Sequence, residues 1–162
     1  MKTEMMRTVI AIAAALVCTA CGSSGGSSST PTSPTTPTGT TVDAVNIAGT
    51  WTGTATDSTG PGTMTWVVTQ TGATFSGTVT LVDTGTSAKG RGTVSGTIAG
   101  SAVHFTVTIP AGGFDAPFAS CATSTSGDAV VIATSMSATY SGTGTGSCGG
   151  TIAGGQFILT KS

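Results

Sequence analysis

Four kinds of side chain in this sequence could carry chemistry: one histidine, a few aspartates, a serine next to a cysteine, and four cysteines. A histidine works as an acid or base when a partner is held within hydrogen-bond reach. Around His104 the pattern sets Val103, Phe105, Val107 and Ile109 against His104, Thr106 and Thr108. That places His104 on the solvent-facing phase of a strand, with no acid close by in sequence, and it reads as a surface residue. Asp57, Asp83, Asp115 and Asp128 fall in turn-like surroundings, where an aspartate usually accepts hydrogen bonds from its own backbone. Ser120 has no neighbouring general base, and there is no Gly-x-Ser-x-Gly elbow. The cysteines form neither a C-x-x-C pair nor a cluster with metal-ligand spacing. No catalytic residue, metal site or cofactor is assigned, and the expectation is a protein that binds or docks without catalysing.

The thiols carry the clearest message. Leu16-Val17-Cys18-Thr19-Ala20-Cys21-Gly22 follows the apolar run Val9–Val17, which in turn follows Lys2 and Arg7. That run is too short to span a bilayer as a helix, which takes about 20 residues. A basic start, a short apolar core and small residues before a cut describe a secretory signal. The small-small-Cys-Gly ending resembles the lipobox of bacterial lipoproteins. The resemblance implies a signal peptide over 1–20, diacylglyceryl attachment at Cys21, and anchoring in the cell envelope, with Gly22 resembling sorting to the outer membrane. One position departs from the pattern: Cys18 stands where the family has an aliphatic residue. With Cys21 lipidated, Cys121 and Cys148 remain as an even pair, which in an exported protein reads as a disulfide.

Gly22–Thr41 contains no charged, aromatic or large aliphatic residue. Such a stretch buries too little apolar area to offset the entropy of ordering it. Residues 21–44 are therefore read as a lipidated cysteine and a Ser/Thr/Pro/Gly tether, and 45–162 as one folded domain. Charged residues make up 7% of the chain, against about 25% in ordinary soluble domains. The basic residues beyond Cys21 are Lys89, Arg91 and Lys161. They form no patch to neutralise phosphates, which argues against nucleic acid as a partner. The remaining partners are the membrane, through the lipid, and a small ligand or an envelope protein.

Period-two alternation defines the domain as all-β. Trp51 and Ala55, then Met64, Trp66 and Val68, then Phe75, Val79 and Leu81 share one phase, with Thr and Ser on the other. The same holds for Val94 and Ile98 and for the His104 segment. Further strands are expected near Phe118–Thr123, Ala129–Thr134, Met136–Gly142 and Gln156–Lys161. Trp51, Trp66, Phe75, Phe105, Tyr140 and Phe157 are expected to share a core. Tight Gly-containing links at Thr71–Thr74 and Ala99–Ala102 read as hairpins. An antiparallel up-and-down meander of about eight strands results, closing as a small β-barrel; a β-sandwich is the alternative.

Trp51-Thr52-Gly53-Thr54, Phe75-Ser76-Gly77-Thr78, Val94-Ser95-Gly96-Thr97 and Tyr140-Ser141-Gly142-Thr143 each put a large residue and then a glycine on one face. Alternating large and small inward residues fit the taper of a small barrel. The opening Gly49-Thr50-Trp51 followed by Phe75-Ser76-Gly77-Thr78 resembles the avidin and streptavidin class of eight-stranded barrels, and more loosely the lipocalins. The resemblance implies the barrel. It does not carry biotin binding, because Gly53 replaces the family's biotin-contacting Asn and only two tryptophans are present.

Inward Gly53, Ala55, Gly77, Gly96 and Ala138 are expected to leave room for a small apolar or glycan ligand. The longest connections, Pro110–Pro117 and Gly142–Gly155, mark the end where recognition would sit. Phe114, Asp115 and Phe118 are the candidate contacts for a ligand or partner. A protein-interaction or hydrolase-inhibitor module is the rival function, and a purely structural surface protein a further one.

Overall fold

The computed structural model describes residues 43–162. The segments expected to be a signal peptide (1–20) and a tether, together with Cys21, lie outside the described residues except for the last two positions of the tether, 43 and 44. Eight strands follow one another: β1 (Gly49–Asp57), β2 (Gly60–Thr71), β3 (Thr74–Asp83), β4 (Lys89–Ala99), β5 (Ala102–Ile109), β6 (Ala122–Ile132), β7 (Ser135–Thr145) and β8 (Gly150–Lys161). Each pairs antiparallel with its neighbours in sequence, and β8 returns to β1 with Trp51 opposite Lys161 and Thr56 opposite Gln156. The sheet is a closed barrel. The β1–β8 ladder excludes the sandwich, which would leave edges on two separate sheets.

The alternation works as the sequence implies. Trp51, Trp66, Phe75, Phe105 and Phe157 are buried, and Tyr140 packs half-buried against them. Trp66 is the hub of this cluster. Its ring centroid lies 5.2 Å from Phe105, 5.1 Å from Phe157 and 6.5 Å from Phe75. Offset and edge-on aromatic pairs of this kind add to the burial of each ring. Among the described residues no polar side chain is buried in the core, and the Thr and Ser rows face outward.

The two ends of the barrel differ. At one end are the short turns β2–β3, β4–β5 and β6–β7, and the segment leading into β1 lies across them. Val45 N–H donates to the Gly100 carbonyl at 2.8 Å. Ile47 N–H donates to Gln70 Oε1 at 2.7 Å, and Gln70 Nε2 donates to the Val45 carbonyl. Trp51 Nε1 donates to the Ile47 carbonyl at 2.8 Å, and Lys161 Nζ sits 5.6 Å from the Trp51 ring centroid. Ile47 itself is wholly buried. This end is capped.

Three sequence expectations need correction. Phe118–Thr123 is not a strand of its own: Phe118 to Cys121 belong to the β5–β6 loop, and β6 runs unbroken from Ala122 through Ile132. Gly142–Gly155 is not one long loop. Gly142–Thr145 complete β7 and Gly150–Gly155 begin β8, leaving a single short 3-10 turn, Gly146–Cys148, between them. The inward glycines leave no room. A Cβ on Gly53 would collide with the Ile158 carbonyl, one on Gly77 with that of Val67, and one on Gly96 with that of His104. These glycines let adjacent strands close in and bend, and the space between them is filled by aromatic rings.

Candidate functional site: an apolar cavity at the open end

The uncapped end carries the turns β1–β2, β3–β4, β5–β6 and β7–β8. Between them lies a cavity of about 260 Å³ that opens to solvent. Its inner wall consists of the strand halves nearer this end, where the inward side chains Met64, Val79, Leu81, Val107 and Ile109 are aliphatic. Phe114 and Phe118, from the long Pro110–Cys121 loop, form one side of the mouth. Backbone bonds on either side of Phe114 tie the loop to β4: Arg91 N–H to the Gly113 carbonyl at 2.8 Å, and Asp115 N–H to the Lys89 carbonyl at 2.9 Å. Gly90 is the reason Phe114 can fold inward. A Cβ there would stand 2.6 Å from the Phe114 ring.

Cys121 and Cys148 are joined by a disulfide, their Cα atoms 5.1 Å apart. The bond ties the end of the β5–β6 loop to the 3-10 turn, and both cysteines line the cavity. Ser120 lies beside it and accepts a hydrogen bond from Ser147 N–H at its hydroxyl oxygen. The serine thus serves as a loop fastener.

The polar end of the cavity is built from Asp57 and Tyr140. Tyr140 Oη–H donates to Asp57 Oδ2 at 2.8 Å, linking β7 to the end of β1 over Gly155 of the intervening β8. Burial, then the hydrogen bond to Asp57 and its negative charge, push the Tyr140 phenol well above its ordinary range. The phenol therefore stays a donor. A Cβ on Gly155 would collide with the Tyr140 ring, so the glycine makes its seat. Asp83, at the end of β3, also lines the mouth. Hydrogen bonds from the Thr86 backbone N–H and then the Thr86 hydroxyl hold its carboxyl below the usual carboxylate range.

Of the three contact residues expected from sequence, Phe114 and Phe118 reach the cavity. Asp115 does not: it faces outward and pairs with Arg91 at 2.9 Å, and the hydrogen bond from Arg91 lowers its pKa. The sequence placed Asp128 in a turn and left His104 without an acid, and the structure corrects both. Asp128 sits within β6, directly opposite His104 on β5, and the His104 Nδ1 to Asp128 Oδ1 distance is 2.9 Å. The pair lies on the exposed outer face, away from the cavity. Asp57, Asp83, Tyr140 and Ile152 are among the lining residues that sequence reasoning did not assign to a site. The signal for Asp57 was present in its position at the end of a strand whose inward phase includes Trp51 and Ala55. Among the described residues, no three His, Cys, Asp or Glu side chains stand together to hold a metal.

Fold and site together define a class: a closed, capped, eight-stranded antiparallel barrel with an apolar, acid-rimmed cavity at its open end. Comparison with protein-family models, curated proteins and solved structures finds no match.

Proposed function

We propose that this chain is a lipid-anchored, non-catalytic binding module of the bacterial envelope, attached through acylated Cys21 and holding a small, largely apolar ligand in the open end of its barrel. The observation that carries the binding half is the cavity: a preformed concavity with aliphatic and aromatic walls and a few polar groups at one end is the usual form of a small-molecule site. An apolar cavity of about 150 Å³ takes benzene. By the same ratio, 260 Å³ has room for about ten non-hydrogen atoms. The lipobox-like sequence ending at Cys21 supports the anchoring half. Against the partner-docking alternative stands the disposition of its contact residues: Phe114 packs against Gly90, and Asp115 is held by Arg91.

Native mass spectrometry of the processed protein, extracted from its source membrane, tests the whole reading. The expected spectrum shows a diacylglyceryl mass on Cys21 and a small adduct that leaves on activation. Thr125→Phe, which pushes a ring into the cavity, should remove the adduct and leave the lipid. An adduct unaffected by Thr125→Phe would place the ligand elsewhere.

A further inference from the structure

The rim of the cavity is one-sided in charge. Asp57 and Asp83 line it, and no Lys, Arg or His does. The two carboxylates are neighbours because β2 runs between them: Asp57 pairs with Gly60, and Gly62 pairs with Asp83. A Cβ on Gly60 would lie 3.8 Å from Asp83 Oδ2.

Each carboxylate has one oxygen committed to its own turn. Asp57 Oδ1 accepts from the Thr59 N–H at 2.7 Å and the Thr59 hydroxyl at 2.6 Å. Asp83 Oδ1 accepts from the Thr86 N–H at 2.6 Å and the Thr86 hydroxyl at 2.8 Å. Both residues line the mouth. Asp57 Oδ2 takes a single hydrogen bond from Tyr140, and a carboxylate oxygen has two acceptor sites.

The cations of the described residues are placed elsewhere. Lys89 and Arg91 flank inward-facing Gly90 on β4, so they point outward, and Arg91 is held by Asp115. Lys161 lies over Trp51 at the capped end. His104 is on the outer face with Asp128.

Resting on the binding reading above, we infer that the cavity selects a small cationic amphiphile, a primary amine with an aliphatic or aromatic body of about ten non-hydrogen atoms. The body displaces water from the Met64, Val79, Leu81 and Ile109 wall, which is where apolar area is removed from solvent. The ammonium donates to Asp57 Oδ2 and Asp83 Oδ2 in charge-assisted hydrogen bonds. A carboxylate ligand of the same size meets like charge and no cationic partner in the lining; the Tyr140, Thr59 and Thr86 hydroxyls are already engaged, which leaves it the neutral hydroxyls of Thr123 and Thr125. Repulsion of that kind gives specificity as surely as attraction does.

Three probes of one shape separate the possibilities: 1-octylamine, 1-octanol and octanoate. All strands, the cap and the disulfide lie within residues 43–162. The chain from residue 21 onward, carrying Cys21→Ser, can therefore be titrated calorimetrically without detergent at pH 7. Octylamine should bind at least about tenfold more tightly than octanol, with octanoate weakest. The octylamine affinity should fall between about 20 and 500 mM salt while that of octanol holds. Asp57→Asn with Asp83→Asn should bring octylamine down to the octanol value and leave octanol within about twofold. Asparagine keeps the Oδ1 acceptor for Thr59 and for Thr86, while at position 57 its amide N–H replaces the oxygen that accepts from Tyr140 and can donate to the phenol oxygen instead; the salt series on the parent protein decides the matter should the double variant not fold. Equal binding of the three probes, or octanoate ahead, overturns the charge selection and leaves the apolar site standing. Failure of all three to bind removes the binding reading itself.

Discussion

Trp66→Ala is the sharpest test of the barrel core. Trp66 is wholly buried and touches three other aromatic rings, at centroid distances of 5.1, 5.2 and 6.5 Å. Truncating a buried Phe or Trp to Ala costs about 3–5 kcal/mol. Each well-placed aromatic pair is worth a further ~0.5–1.5 kcal/mol beyond area. With three pairs lost, the upper end, about 5 kcal/mol, is the expected value. For a domain of about 120 residues, an unfolding entropy near 2.1 cal/mol/K per residue gives about 0.25 kcal/mol per degree. The melting temperature should therefore drop by about 20 °C. Differential scanning calorimetry under oxidising conditions measures this, with Ile158→Ala as the control. Ile158 is 60% exposed on the outer face of β8, and its truncation should move the transition by no more than about 2 °C. Should Trp66→Ala and Ile158→Ala shift the transition alike, the inward phase of β2 would be misassigned and the ring cluster would not be the core.

Three further outcomes follow from the same geometry. The Cys121–Cys148 bond closes a loop of 27 residues; in the chain-entropy model its removal by Cys121→Ser with Cys148→Ser costs about 3.5 kcal/mol, and a denaturation midpoint unchanged from the parent would show that the two loops need no tie. Tyr140 is the one tyrosine, so phenolate absorbance near 295 nm reports it alone. Its pKa is raised in the fold, so the stability it contributes is full below pH ~10 and is lost as pH rises above that value; reversible ionisation with a midpoint near pH 10 in the intact barrel would contradict its burial and its bond to Asp57. Cys21→Ser should leave the protein uncut or soluble, and a Cys21→Ser protein that is still cleaved and still pelleted with membranes at high salt would refute the lipid anchor.

What the sequence revealed and what it concealed have a common physical origin. Alternation is plain wherever a strand lines the packed core, as in Trp51-x-Gly53-x-Ala55 or Val103-x-Phe105-x-Val107. It fades where a strand lines the cavity. The inward residues in the first half of β6 are Thr123, Thr125 and Gly127, small or polar, the first two bordering the solvent-open cavity, so the pattern breaks there and one strand reads as two, Phe118–Thr123 and Ala129–Thr134. The start of β8 was hidden for another reason. Tyr140 pairs with Gly155 but Gly142 pairs with Ile152, and the extra residue is accommodated with Gly154 at φ +64°. A bulge of this kind shifts the inward phase by one, so Ile152 and Gly155 both face in and no period-two pattern spans them. Asp57 and Tyr140 come from opposite ends of the domain, and the bond between them exists only once the barrel is closed.

Seven of the eight ladders join strands adjacent in the chain, whereas the β1–β8 ladder joins Trp51 to Lys161. The hairpins can therefore assemble locally and early, but the closing seam carries a loop-closure cost spanning nearly the whole domain. A polypeptide made from its amino terminus keeps β1 as an unpaired edge until the last dozen residues are available, and Ser162 N–H then bonds the Thr50 carbonyl to finish the seam. Loss of those final residues would not trim the barrel. It would leave an open sheet with β1 and β7 as unprotected edges, Trp51 on one and Tyr140 on the other, the state in which strands add to other chains.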